Sequence, residues 1–356
     1  MAVTPTIDEA KLEAFMERFV GELGACATAP MVLIGDKLGL YKAMADSEPV
    51  TPVELAERTG TNERYIREWL CQQAASEYLT YDPATGAFRL PPEQALALAV
   101  DESPAFIPGA FQLLAAMIKD EPAITDRFRS GDGFGWHEHH HDLFEGTERF
   151  FRPGYNAHLV DEWLPALEGV EGRLRAGIRV ADIGCGHGVS TILMAQAYPE
   201  STFVGSDYHE GSIEAARRAA ERAHVSDRVT FEVAGAKEFG GGPFDLVCVF
   251  DALHDMGDPV GASRHVRSQL AGDGTWLVVE PMAFDSVEEN LNPVGRVFYA
   301  GSTMLCTPAS LSQEVGLALG AQAGQRQLTE VLNQGGFSHV RRAAETPFNL
   351  VLEVRP

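Results

Sequence analysis

The stretch Ile178 to Ser190, IRVADIGCGHGVS, constrains the fold more than any other part of the chain. Ile178, Val180 and Ile183 read as a buried strand, Gly184, Gly186 and Gly188 follow at once, and an apolar helical run from Val189 to Ala195 comes next. Strand, glycine turn and helix N-terminus together let a ligand approach the backbone closely, because a residue without Cβ leaves room for it. The spacing narrows the ligand. A dinucleotide fingerprint is G-x-G-x-x-G, whereas this run is Gly184-Cys185-Gly186-His187-Gly188, with Val189 where the third glycine is needed. Asp182, at the strand end, would repel a pyrophosphate. The turn therefore suits a cationic nucleoside without phosphate, with a plain glycine turn as the alternative.

The 356 residues are enough for about two domains. A net charge of −23 repels phosphate backbones and disfavours nonspecific nucleic-acid binding. The five cysteines, Cys26, Cys71, Cys185, Cys248 and Cys306, are odd in number and widely spaced. They form neither a disulfide framework nor a metal pattern, which points to a reducing compartment. No run approaches the roughly 18 consecutive apolar residues of a membrane span, and the N-terminus lacks a basic region followed by an apolar one. The expected location is cytoplasmic, away from membranes.

In chain order, Phe15, Phe19, Leu23, Met31, Ile34, Leu38 and Met44 recur at helical spacing and predict a buried helical face. Thr51-Pro52-Val53-Glu54 opens a helix that Gly60 ends. Asn62 caps another, carrying Tyr65, Ile66, Trp69, Leu70 and Gln73. A hairpin follows, Tyr78 to Tyr81 and Ala87 to Leu90, across a turn at Asp82 to Gly86. Two short helices and a two-stranded wing make a winged helix over residues 1–92. Its second helix balances Arg64 and Arg67 against Glu63 and Glu68, so no basic stripe exists to neutralise DNA. Dimerisation through the early helices is the better reading, and a transcription regulator that senses a small molecule is the rival.

Residues 93–176 read as a helical connector. Phe150, Phe151, Tyr155, Leu159, Trp163 and Leu164 are dense enough to suggest core packing or a lid. From residue 177 onward strands and helices alternate. Strands are predicted at 178–183, 202–206, 228–233, 244–250 and 275–280, helices at 188–198, 210–223, 258–271 and 325–334, and closing strands at 337–344 and 349–355. Such alternation implies an α/β, doubly wound parallel sheet with ligands at the carboxyl ends of its strands. Asp207, about 20 residues beyond the glycines, suits a carboxylate bonding two ribose hydroxyls, or else a helix cap. Tyr208 could then lie against the adenine. The third strand is followed by Ala234-Gly235-Ala236 and supplies no carboxylate, so adenine recognition there rests on backbone near Ala236.

GCGHG at Gly184–Gly188, FDALHDMGDP at Phe250–Pro259 and VEPM at Val279–Met282 resemble segments of the bacterial two-domain winged-helix S-adenosylmethionine-dependent methyltransferases. The likeness implies the seven-stranded class I methyltransferase sheet over residues 177–356, its last strand antiparallel. It also implies S-adenosyl-L-methionine as cofactor and a homodimer. Asp182, Gly184, Gly186, Gly188, Asp207, Tyr208, Ala236, Phe250 and Asp251 are then the expected cofactor residues. The LHDM stretch is similar to the L-x-H-D-W-x-D region of plant-type small-molecule O-methyltransferases, with Met256 in the tryptophan position. That likeness makes His254 the general base and Glu280 the residue orienting it. A second family glutamate has Gln325 or Gln327 nearest its place. A histidine titrating near neutrality can take a hydroxyl proton during methyl transfer, an effect of about 10²–10⁴-fold. The insertion at 285–319, with Leu291, Phe298, Tyr299 and Met304, would cover a small, largely apolar acceptor, though helical core packing explains the same residues equally well. His137-Glu138-His139-His140-His141 matches the zinc-protease pattern H-E-x-x-H, but follows a glycine-rich loop rather than lying in a helix; no metal site is assigned.

Overall fold

The computed structural model describes residues 7–356, which form two compact units dividing between Ala115 and Ala116. In the first unit, α1 (Glu9–Lys37) is followed by α2 (Pro52–Thr59) and α3 (Glu63–Ala75). The local signals act as expected. Thr51 and Glu54 form a reciprocal capping box with Pro52 in the first helical turn, Gly60 closes α2 in the left-handed region, and the Asn62 side chain accepts from the Arg64 N–H. Strands β1 (Thr80–Asp82) and β2 (Ala87–Arg89) pair antiparallel as the wing, and α4 (Pro92–Leu98) follows. Leu40, Met44, Leu55, Ile66, Trp69, Leu70 and Phe88 share the core. On α3, Arg64 pairs with Glu68 and Arg67 with Glu63.

α1 departs from the expectation. Its C-terminal half packs inside the unit, with Gly35 so close to Tyr41 and Trp69 that a Cβ would fall 2.5 and 2.6 Å from their rings. Phe15, Phe19 and Leu23 are not buried: they are 57, 45 and 57% exposed, beside exposed Leu12, Met16 and Val20. The helical period is present, but within the described residues no partner covers this face. By length and composition α1 is also long and apolar enough to cross a membrane, which counting unbroken apolar runs does not detect.

The second unit holds the C-terminal part of α5 (Pro108–Ser130), then α6 (Asp142–His158), a π-helical turn at Leu159–Trp163, and α7 (Val170–Ala176). The sheet region runs β3 (Arg179–Ile183), α8 (Val189–Ala197), β4 (Thr202–Asp207), α9 (Glu210–Arg222), β5 (Val229–Val233), β6 (Phe244–Phe250), α10 (Pro259–Gln269) and β7 (Leu270–Pro281). Three short helices come next, α11 (Val287–Asn290), α12 (Pro293–Gly301) and α13 (Thr307–Leu311), then α14 (Gly324–Gln334), β8 (His339–Glu345) and β9 (Asn349–Arg355). Sheet order is β5-β4-β3-β6-β7-β9-β8, with β9 alone antiparallel to its neighbours. This is the class I methyltransferase sheet. β7 begins at Leu270, inside the stretch predicted as helix end, because the chain pairs Leu270 with Phe244 before a register shift brings Thr275 beside Leu246.

Alternation along the strands builds two cores. Val180, Leu246, Cys248 and Leu277 pack with residues of α8 and α9, while Ala181, Ile183, Val247, Val249 and Val278 pack with residues of α10 and α14. The strand order reverses between β3 and β6, so the carboxyl ends of these neighbours open a crevice at the topological switch point. Asp182, the glycine turn, Asp207, Asp251, His254 and Glu280 all belong to that edge.

Candidate functional site

The glycine turn is a backbone structure first. Gly184, Gly186 and Gly188 have φ of +71, +51 and +79°, a region that L side chains enter at a cost. The N–H groups of Gly184 and Cys185 both donate to the Ser206 carbonyl, tying the turn to β4. A Cβ on Gly188 would lie 2.6 Å from the Phe231 ring, whereas one on Gly186 would meet nothing within 4 Å. Gly188 is thus needed for packing, and Gly186 faces open space.

Asp182 is buried beneath this turn. Its Oδ2 accepts from Ser190 Oγ at 2.7 Å and Thr191 Oγ1 at 2.6 Å, both in the first turn of α8. Its Oδ1 is buried with no partner among the described residues. Burial outweighs the two hydroxyl bonds and raises its pKa to about 6. Asp207 accepts from Gly186 N–H through Oδ2 (3.1 Å) and from His209 N–H through Oδ1 (2.8 Å). It does not cap α9; His209 does, through Nδ1 and the Ser212 N–H. Burial also raises the Asp207 pKa. Tyr208 is half exposed, and its hydroxyl pKa is raised by burial and by the charges of Asp255 and Asp207. Ala236 lies in the turn after β5, partly buried. Phe250 is a core ring against Tyr155 and Trp163.

At the end of β6 the backbone bends sharply: Asp251 has φ +50° while its N–H pairs with the Val279 carbonyl. Its carboxylate accepts from Tyr155 Oη (3.4 Å) and Asn349 Nδ2 (3.3 Å), two residues that sequence reasoning did not assign to the site. Burial and the nearby Glu280 raise the Asp251 pKa to about 8, and burial raises that of Asp255 to about 7. His254 and Glu280 come together as predicted. Glu280 Oε2 lies 2.6 Å from His254 Nδ1, and Oε1 accepts the Leu253 N–H at 2.9 Å, so both oxygens of this buried carboxylate are committed. Burial favours the neutral imidazole, but the Glu280 carboxylate together with Cys306 outweighs it and raises the His254 pKa.

The other ring nitrogen, Nε2, lies 3.2 Å from Cys306 Sγ. Cys306 ends a π-helical turn, Ser302–Cys306, in the insertion after β7. Its separation of 52 residues from His254 left no signal in the sequence. Gln325 and Gln327 do not complete the base. Gln325 Oε1 accepts from Arg342 Nε at 2.8 Å, and Gln327 is exposed. The segment that reaches the base lies just upstream: Gly320 N–H donates to the His254 carbonyl, and Gln322 Oε1 nearby in sequence is buried and unpaired among the described residues.

The H-E-x-x-H match is broken by structure. His137 lies in a 3₁₀ turn, Trp136–Glu138, and His141 precedes α6, so the two are not on one helix face. His139 is buried with Nδ1 2.8 Å from Asp120 Oδ2, and burial lowers its pKa. His140, His141 and Asp142 approach one another, but Lys119 Nζ already holds Asp142 at 2.5 Å. At the other end of this segment Phe144 stacks on His209, with ring centroids 4.5 Å apart.

Comparison with known proteins bears on the domains and the fold. Residues 174–336 match the family profile described as a methyltransferase domain, and residues 24–100 match an Rv2258c-like winged HTH domain. The chain is 35% identical over 131 residues to a 27-O-demethylrifamycin SV methyltransferase of Amycolatopsis mediterranei, covering 35% of this chain and 48% of that protein. The match thus spans about half the length of that relative. Among solved structures, an O-methyltransferase family protein from Burkholderia thailandensis aligns over 99% of both chains with a TM-score of 0.69 at 17% identity. Human N-acetylserotonin methyltransferase, solved with SAM, aligns over 100% of this chain and 99% of its own with a TM-score of 0.66 at 15% identity. At such identities the structural likeness establishes the fold.

Proposed function

This chain belongs to the class I methyltransferases that carry an N-terminal winged-helix domain, and from that premise we propose that it moves a methyl group from S-adenosyl-L-methionine to a hydroxyl of a small, largely apolar acceptor. The observation that carries the reading is the buried His254–Glu280 pair, one strand away from the glycine turn at the switch point of the sheet. The cofactor fits the residues present. Burial raises the pKa values of Asp182, Asp207, Asp251 and Asp255, a cost that a cationic ligand beside them would offset. Asp182 Oδ1, without a partner among the described residues, is a buried acceptor suited to an ammonium N–H, and the open face at Gly186 suits the ligand's body. Asp207, held beside the glycine turn by the Gly186 N–H, is read as the partner of the ribose hydroxyls. When bound, the cofactor supplies an electrophilic methyl on a sulfonium.

The chain's own part is proton handling and positioning. Glu280 fixes the proton on His254 Nδ1, so Nε2 in its neutral form is the acceptor for the hydroxyl proton. α11 to α13 form the insertion after β7, where an apolar acceptor would be covered. The relative from Amycolatopsis, named for methylating a demethylrifamycin, supports oxygen as the methylated atom. We also assign the exposed stripe of α1, Leu12 to Leu23, to a homodimer contact, and the five free thiols to a reducing, cytoplasmic setting.

Titration calorimetry with S-adenosylhomocysteine tests the reading, with saturable binding at micromolar ligand expected. Absence of binding at high micromolar ligand overturns it. A screen of small phenols for released S-adenosylhomocysteine then identifies the acceptor class. Light scattering after gel filtration, comparing wild type with Phe15→Glu/Phe19→Glu, tests the dimer.

A further inference from the structure

The residue that touches the working nitrogen of the proposed base is a cysteine. His254 Nε2 has Cys306 Sγ at 3.2 Å, and its Nδ1 has Glu280 Oε2 at 2.6 Å. A thiol, an imidazole within hydrogen-bond reach, and a buried carboxylate orienting that imidazole form the arrangement that activates a sulfur nucleophile. We propose that Cys306 is a nucleophilic modification site, taking soft carbon electrophiles of the enone, quinone or alkyl-halide class. This goes beyond the methyl-transfer reading and needs no methyl donor, although it uses the same histidine.

Several features hold the sulfur in place. Cys306 ends the π-helical turn Ser302–Cys306, an irregularity that often marks functional positions. The start of that turn is pinned by Ser302 Oγ, which accepts the Ala321 N–H. Cys306 is partly exposed, whereas Cys185 and Cys248 are buried in the sheet. Cys26 and Cys71 are more exposed than Cys306 and lie in the first unit. If exposure alone governed reactivity, these two would react first.

The reaction balances within the triad. Sulfur attacks the electrophilic carbon, and the proton shared between Sγ and Nε2 remains on Nε2. With an alkyl halide, the carbon–halogen bond breaks and halide leaves as the anion. With an enone or quinone, the π pair moves onto the carbonyl oxygen, and the Nε2 proton passes to the adduct. The product carries its new group where an acceptor's nucleophile would meet His254.

The test uses the full native chain, limiting iodoacetamide near neutral pH, and peptide mass spectrometry for each cysteine over time. Cys306 should be carbamidomethylated about tenfold faster than Cys26 or Cys71, the range by which a partnered thiol outruns a solitary one. His254→Gln should remove that advantage. Labelling of Cys306 at or below the rate of Cys26 and Cys71 overturns the proposal, as does an unchanged Cys306 rate in folded His254→Gln. Where that variant does not fold, the wild-type comparison decides alone. Failure of S-adenosylhomocysteine binding would sink the methyl-transfer reading and leave the thiol result standing.

Discussion

The crevice has two halves, and they are held together differently. On the β3–β4 side, Asp182 is bonded by Ser190 and Thr191, eight and nine residues away, and the turn between them is fixed by its own glycines. On the β6–β7 side, Glu280 is bonded by His254 and Leu253, 26 and 27 residues away, and the histidine is closed by Cys306 from a separate insertion. One carboxylate is satisfied locally and keeps an oxygen free; the other is satisfied across strands and keeps none. The open acceptor on Asp182 suits a ligand, and the closed Glu280 carboxylate suits a support for His254. On the proposed reading, cofactor binding draws on the first half and proton transfer on the second.

The sharpest way to break this division is His254→Ala, expected to lower turnover by about 10²–10⁴-fold while S-adenosylhomocysteine affinity in calorimetry stays within about twofold. A parallel loss of affinity would show that the halves are not separable. Within the binding half, Gly188→Ala puts a Cβ 2.6 Å from Phe231 at φ +79°. It should cost about 1–3 kcal/mol in ligand-free urea unfolding. Gly186→Ala meets only the conformational cost, about 1–2 kcal/mol, and should show its larger effect on ligand affinity. Asp182→Asn should weaken S-adenosylhomocysteine binding by about tenfold, close to 1.4 kcal/mol, with turnover at saturating cofactor much less affected. The reverse pattern, intact affinity and lost turnover, would move Asp182 into the chemical half.

The smallest effect is the pH dependence. Carboxyls in an unfolded chain titrate near about 4, whereas Asp182, Asp255 and Asp251 titrate at about 6, 7 and 8 in the folded chain, and His254 is raised as well. The native state then binds more protons than the unfolded state across this window, so stability is fullest at its acid end and falls as pH rises through it. Thermal melts of the ligand-free chain should fall steadily between about pH 5 and pH 9, and bound S-adenosylmethionine should reduce the loss. Turnover should climb with pH beyond the usual imidazole range, because only neutral His254 accepts a proton.

What the sequence made legible follows the same line between local and distant. The capping box at Thr51–Glu54, the Gly60 stop, the wing turn and the order of strands and helices are signals read within a few residues, and the structure realises each of them. The pairing of His254 with Glu280 was legible through the family resemblance of the LHDM and VEPM segments, which lie just after β6 and at the end of β7. α1 shows the limit from the other side. Helical period identifies an apolar face, but burial depends on what packs against it, and Phe15, Phe19 and Leu23 remain exposed within the chain.

The sequence by itself determined the elements and the chemistry at their ends, because propensity, capping and glycine conformation are properties of neighbouring residues. Only the tertiary structure decided the partners that no motif announces. Cys306 reaches His254 through an insertion with no period or motif to announce it, and Tyr155 and Asn349 reach Asp251 from 96 and 98 residues away. His209 rather than Asp207 caps α9, leaving Asp207 to the glycine turn. Hydrogen-bond partners are chosen by proximity in space, and that proximity exists only once the sheet has closed.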